Sequence, residues 1–145
     1  MTNYNDTIRI LEQEMTRINV IPVEQLSDQH LIAEYRELPR VLKQPISTVN
    51  APSTYKLGTG HVKWAKKHSK YVTNRYIKLV DEMKYRGFKT NFTTPPEDIY
   101  NKQGMDYIVS KSDIEINRVR IKAKYNQKPD YYKWSKRNPP EWLYS

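Results

Sequence analysis

The sequence predicts an all-α fold in one compact domain. Two helix-period apolar stripes carry that expectation, and no stretch reads as a sheet. A length of 145 residues fits one domain with a modest core rather than two. Three main helices joined by long irregular connections are expected.

The first helix is expected over 28–42, capped by Ser27 or Asp28, whose side chains can accept from the free N–H groups of the first turn. Leu31, Tyr35, Leu38 and Leu42 recur at i, i+4, i+7 and i+11, one apolar stripe. At 100° per residue, His30, Glu34 and Glu37 form a neighbouring polar stripe, and Arg36 and Arg40 a third. Pro39 removes one hydrogen bond and is expected to kink this helix after Tyr35. Residues 43–60 read as irregular, punctuated by Pro45, Pro52, Gly58 and Gly60. A second helix is expected over 66–86, from Val72, Tyr76, Leu79, Val80 and Met83, with Gly87 placed for a left-handed C-cap. Residues 88–110 are mixed, broken by Pro95, Pro96 and Gly104. The third helix is expected over 111–127 on the apolar set Ile114, Ile116, Val119, Ile121 and Ala123, ended by Pro129. The tail interleaves Tyr and Trp with Lys and Arg.

Only 37% of residues are hydrophobic, and aromatics must supply much of the core: twelve Tyr and three Trp against two Phe. The absence of cysteine excludes disulfides, thiolate nucleophiles, iron–sulfur clusters and Cys-based zinc sites. The three histidines are far apart with no metal-ligand spacing, so no metal is expected. No apolar run approaches the ~20 residues of a membrane span, and residues 1–14 are too polar for a secretory signal. A soluble, cytoplasmic protein that engages no membrane is expected.

The net charge is +9, and residues 1–14 contribute −2 of it, which leaves +11 on residues 15–145. Charge of that size favours polyanions. Basic side chains recur at Arg17, Arg36, Arg40, Lys63, Lys66, Lys67, Lys70, Arg75, Arg118, Arg120, Lys122, Lys124, Lys133, Lys136 and Arg137, and residues 61–78 hold no acid at all. Intrahelical ion pairing therefore does not account for them, and phosphate contact is expected. Glu37, set between Arg36 and Arg40, reads first as a structural ion pair and second as a catalytic carboxylate. His30 reads as a capping or hydrogen-bonding histidine. The tail reads equally as a base-stacking surface or as packing of a chain end.

Several motifs then occur in order: MTRIN at 15–19, DQHL at 28–31, AEYRELPRV at 33–41, LGTGHV at 57–62, YRGF at 85–88, DYI at 106–108 and YYK at 131–133. Together they resemble the pyrimidine-dimer DNA glycosylase/AP-lyase family of T-even phages, over residues 15–145. Segments 43–56 and 89–105 match weakly. The resemblance implies a single all-α domain of three helices with its N-terminal arm threaded between them. It also implies no cofactor and a monomer that binds, kinks and flips a base from double-stranded DNA containing damaged bases. It implies that the nucleophile is the α-amine of an N-terminal threonine, matching Thr16, and that the essential acid matches Glu37. DNA-binding positions match Arg17, His30, Arg36, Arg40, Arg120, Lys124 and the tail residues Tyr131, Tyr132, Lys133 and Trp134. The family's first tail aromatic is a Trp where this chain has Tyr131.

An α-amine has a pKa near ~8 against ~10.4 for lysine, so much more of it is unprotonated near neutrality. That chemistry requires the peptide bond between Met15 and Thr16 to be absent. The expected start is Met15, followed by Met removal, with residues 1–14 an extension outside the domain at 15–145. The alternative is a DNA-binding module on the same fold that lacks glycosylase activity, or acts on another modified base, because the extension stays.

Overall fold

The computed structural model describes residues 18–90 and 104–145. Thr16, Arg17, the 1–14 extension and most of the 89–105 segment lie outside the described residues. Within them the architecture is all-helical: α1 (Asp28–Lys43), α2 (His61–Lys67), α3 (Ser69–Tyr85) and α4 (Lys111–Gln127), with short 3-10 turns at Val23–Gln25, Pro129–Tyr131 and Glu141–Tyr144. α1 packs on α2 and α3, and α4 packs against the two C-terminal turns.

α1 starts where expected. Ser27 Oγ accepts the His30 N–H at 3.0 Å, satisfying one of the orphan donors of the first turn. The helix runs through Pro39 to Lys43. Leu31, Tyr35, Leu38, Val41 and Leu42 are buried, and so is Glu34, at 2% exposure. Glu34 thus belongs to the inward stripe, at i+3 from Leu31, rather than to the polar stripe the sequence suggested.

The expected helix at 66–86 is two helices, His61–Lys67 and Ser69–Tyr85, which makes four among the described residues where three were expected. His68 leaves helical geometry at φ −103°, ψ 41°. Its ring nitrogen Nδ1 lies 2.8 Å from the Trp64 carbonyl oxygen. The break frees the Lys67 carbonyl, which accepts the Met105 N–H at 2.9 Å. Gly104 is what permits this approach, because a Cβ there would lie 1.8 Å from Ser69 Oγ. The local apolar spacing continues through His68, so no periodicity marked the interruption. At the far end of α3, Gly87 adopts φ +87°. The Gly87 and Phe88 N–H groups donate to the Lys84 and Met83 carbonyls, closing a Schellman motif.

α4 has the expected bounds and a full Ser110–Asp113 capping box, but only Ile114 and Ile121 of the expected apolar set turn to the core. Ile116 and Val119 are 42% and 56% exposed, whereas Asp113, Asn117 and Ile121 are buried. The fully buried stripe is i, i+4, i+8 and mainly polar, so hydrophobic periodicity found Ile121 but missed Asp113 and Asn117.

Buried charge fastens the two ends of the domain. Arg86 donates to Asp28 at 3.0 Å and to Glu82 at 2.7 Å, and Arg137 makes a two-pronged contact with Glu82. Ser135 donates to Asp28 through both its N–H and its hydroxyl. Asp28 and Arg86 come from the DQHL and YRGF motifs, so these motifs have a structural use: they bolt the C-terminal tail to the start of α1.

Candidate active site

Between α1 and α4 lies a cleft of about 350 Å³. α1 contributes His30, Arg36 and Glu37 one to two turns apart, and α4 contributes Arg120 and Lys124 at i, i+4. Tyr132 closes one end. Asn19 and Glu34 line the inner side. Six of the residues selected from sequence therefore meet in one place, although they come from three separate parts of the chain.

Glu37 is partly exposed, with 22% of its side chain accessible, and its Oε1 accepts from Arg40 Nη1 at 3.2 Å. Arg40 itself is 74% exposed, so this pair is weakly held. Glu37 thus presents a carboxylate to the cleft rather than a closed ion pair. Among the described residues, two guanidinium nitrogens of Arg120, Nε and Nη2, are buried without a hydrogen-bond partner. An unpaired buried donor carrying charge favours an anion beside it.

His30 stacks on Tyr132 with ring centroids 4.8 Å apart and planes 7° from parallel. Its Nδ1 lies 2.8 Å from Ser27 Oγ. Burial, with the nearby Lys124 charge, lowers its pKa from 6.5 to about 4. The ring is therefore neutral at neutral pH and serves as a stacking and hydrogen-bonding group. The unfolded chain takes up a proton near 6.5 while the folded chain resists it until about 4. The resulting stability is complete above pH 6.5 and is lost as pH falls towards 4, an effect of about 3 kcal/mol. Replacing His30 by Phe keeps a ring on Tyr132 but removes the titration. Denaturant melts should show the stability of the parent relative to His30→Phe falling by that amount between pH 7.5 and 4. Parallel pH curves for the two proteins would contradict the assignment.

The inner wall is a polar network that sequence reasoning missed. Arg75, on α3, grips buried Glu34 through Nε–Oε2 at 2.5 Å and Nη2–Oε1 at 3.1 Å. Burial opposes the Arg75 charge, but the carboxylate and its hydrogen bonds hold the guanidinium pKa above its ordinary value. The same arginine donates to the Ile21 carbonyl at 2.8 Å. Asn19 Nδ2 donates to Glu34 Oε1 at 2.8 Å. Residues 18–21 run between these groups as an arm without regular secondary structure. The Ile18 N–H donates to His61 Nε2 at 2.8 Å, and the Ile18 carbonyl accepts from Tyr55 Oη at 2.8 Å. Asn117 Oδ1 accepts from the N–H groups of both Val20 and Ile21.

Several basic residues expected at phosphates are committed elsewhere. Arg75 is 5% exposed and paired with Glu34, which corrects its reading as a phosphate ligand; its partner lies 41 residues away, beyond any local pattern. Lys66 donates to the Leu42 carbonyl and Lys67 to Ser53. Arg118 lies over the Trp142 ring. In the tail, Tyr131 is 57% exposed with Lys128 Nζ 5.9 Å from its ring centre. Trp134 instead turns to the body, where its Nε1 donates to the Gln25 carbonyl. Lys133 holds α1 through its main chain, its carbonyl accepting from Asp28 N–H at 2.7 Å, while its side chain is exposed. One signal for Glu34 was present in the sequence: its i+3 spacing from Leu31 and i−4 spacing from Leu38 put it on the apolar stripe. Asn117 and His61 carried no such signal.

Among the described residues, no three His, Asp or Glu side chains are grouped to hold a metal ion, and no helix is long and apolar enough to cross a membrane. Residues 15–95 match the sequence model of a family described as pyrimidine dimer DNA glycosylase.

Proposed function

The chain belongs to the pyrimidine dimer DNA glycosylase family, and from that premise we propose that it excises the damaged base with the α-amine of Thr16 and Glu37, then cleaves the strand as an AP lyase. The family acts on damaged DNA, so the basic rim of the cleft is read as its DNA-binding surface.

One observation carries the mechanistic reading: the arm at residues 18–21 is clamped against the wall of the cleft that holds Glu37, and Asn19 lines that cleft. Only Arg17 separates Thr16 from Ile18, two Cα steps that span at most about 7 Å of chain. In this reading an amine on Thr16 works beside the Glu37 carboxylate. The family match also begins at residue 15, in keeping with a domain that starts at Met15.

The chemistry follows from those two groups. The amine lone pair attacks C1′ of the damaged nucleotide as the glycosidic bond breaks, and the base leaves with the bonding pair. Positive charge builds on the sugar in this step, and the Glu37 carboxylate stabilises it. Ring opening gives an imine between Thr16 and C1′. Glu37 then removes a C2′ proton, the electron pair forms the C2′–C3′ double bond, and the 3′ phosphate leaves. Arg36, Arg40, Arg120 and Lys124 surround this site as phosphate ligands, and Tyr131 offers an exposed ring to a base. Contacts of this kind offset the few kcal/mol that unstacking a nucleotide costs.

Borohydride reduces such an imine to a stable amine and so captures protein on DNA. Ultraviolet-irradiated duplex treated with the 16–145 chain and borohydride is expected to give a covalent adduct, and the 1–145 chain none. Adduct with both chains would move the nucleophile away from Thr16. Absence of adduct with either would leave a DNA-binding module on this fold.

A further inference from the structure

We infer that Asn117 is a positioning residue for this reaction: it sets the register of the N-terminal arm and so aims the Thr16 amine. The inference rests on the proposed nucleophile and deepens it.

Asn117 is fully buried in the middle of α4. Its single Oδ1 accepts from two consecutive backbone donors, Val20 N–H at 2.7 Å and Ile21 N–H at 3.1 Å. Its Nδ2 donates to Asn19 Oδ1 at 2.7 Å. One side chain thereby holds three neighbouring residues of the arm. A strand paired with another strand can slip by two residues and recover the same bonds. The bonds described here come from side chains that occur once each, so a slip of the arm leaves donors and acceptors unmet.

A purely structural role fits this residue poorly. It sits at i+4 from Asp113 and i−4 from Ile121, where an aliphatic residue would serve a core helix better. Asparagine is a weak helix former, and a buried amide costs free energy unless all its groups are met. Here the arm engages both lone-pair sites of Oδ1 and one Nδ2 donor. The same helix carries Arg120 and Lys124, at i+3 and i+7, into the cleft. Asn117 therefore ties the position of the arm to the helix that contributes the basic wall of the site.

The test compares Asn117→Ala and Asn117→Asp with the parent, all beginning at Thr16, on a duplex with one abasic site. Imine formation is followed by borohydride capture under single turnover. A displacement of the amine by about 1 Å is expected to slow capture about a hundredfold in Asn117→Ala. Affinity for a duplex with a tetrahydrofuran abasic analogue should stay within threefold of the parent. Asn117→Asp keeps the oxygen that both N–H groups reach and should recover most of the rate. Methylamine supplies an amine that needs no aiming: it condenses with the abasic aldehyde, losing water, and leaves C2′ deprotonation to Glu37. It should therefore restore strand scission in Asn117→Ala. Capture by Asn117→Ala within threefold of the parent would overturn the inference, as would loss of analogue binding or failure of methylamine to restore scission. If the parent itself forms no imine, the nucleophile assignment fails instead, so the two failures are distinct.

Discussion

Glu37→Gln is expected to slow both base release and strand scission by about 10²–10⁴, the range for removal of a positioned acid–base group. The substitution keeps the size of the side chain and an oxygen for Arg40 to reach, so binding to irradiated duplex should remain within a few-fold of the parent. Loss comes from the missing negative charge at the developing sugar cation and the missing base for the C2′ proton. Glu34 is the obvious substitute, three residues away on the same helix and at the same cleft. Both of its oxygens are engaged, by Arg75 and Asn19. Held in that way it cannot turn towards the sugar, and it should not rescue the variant. Single-turnover assays separate the two outcomes: activity within tenfold of the parent would remove Glu37 from the chemistry.

The largest stability change is expected from Arg75→Met, at about 3–5 kcal/mol, because it strands the Glu34 charge in the interior. The Ile21 carbonyl loses its donor at the same time. The double variant Arg75→Met/Glu34→Leu removes both charges and should recover much of that loss, a coupling readable from a double-mutant cycle of denaturant melts. Additive losses would mean that the two side chains do not act as a pair. The interest of the comparison lies in function. The double variant should fold yet lack the Glu34 acceptor for Asn19, and so hold the arm less firmly.

The parts of this protein that were legible in the sequence depended on local repetition. The Leu31, Tyr35, Leu38, Leu42 stripe placed α1, Ser27 its start, and Gly87 the end of α3. The cleft residues of α1 could be grouped because helical spacing puts them on adjacent turns, whereas Arg120, Lys124 and Tyr132 read from composition only as general phosphate or stacking candidates, and the resemblance alone put them with Glu37. The break at His68 was hidden because its cause, the docking of Gly104 and Met105, comes from a distant segment. The inward face of α4 was hidden because it is polar, with its partners almost a hundred residues away. Arg75 was misread for the same reason. In a chain so rich in cations, a buried arginine and a phosphate-binding arginine look alike until the carboxylate partner is seen.

The sparse apolar anchoring of α4 has a consequence for how the molecule opens. Ile121 is its only buried hydrophobic residue, and local opening costs least where buried apolar area is small. The helix that carries Arg120, Lys124 and the Asn117 clamp can therefore detach while α1, α2 and α3 keep their shared core. On warming, the cleft would come apart before the bulk of the protein does. Working capacity and overall folding are then two separate thresholds, and the lower one sets the temperature at which the protein stops being useful.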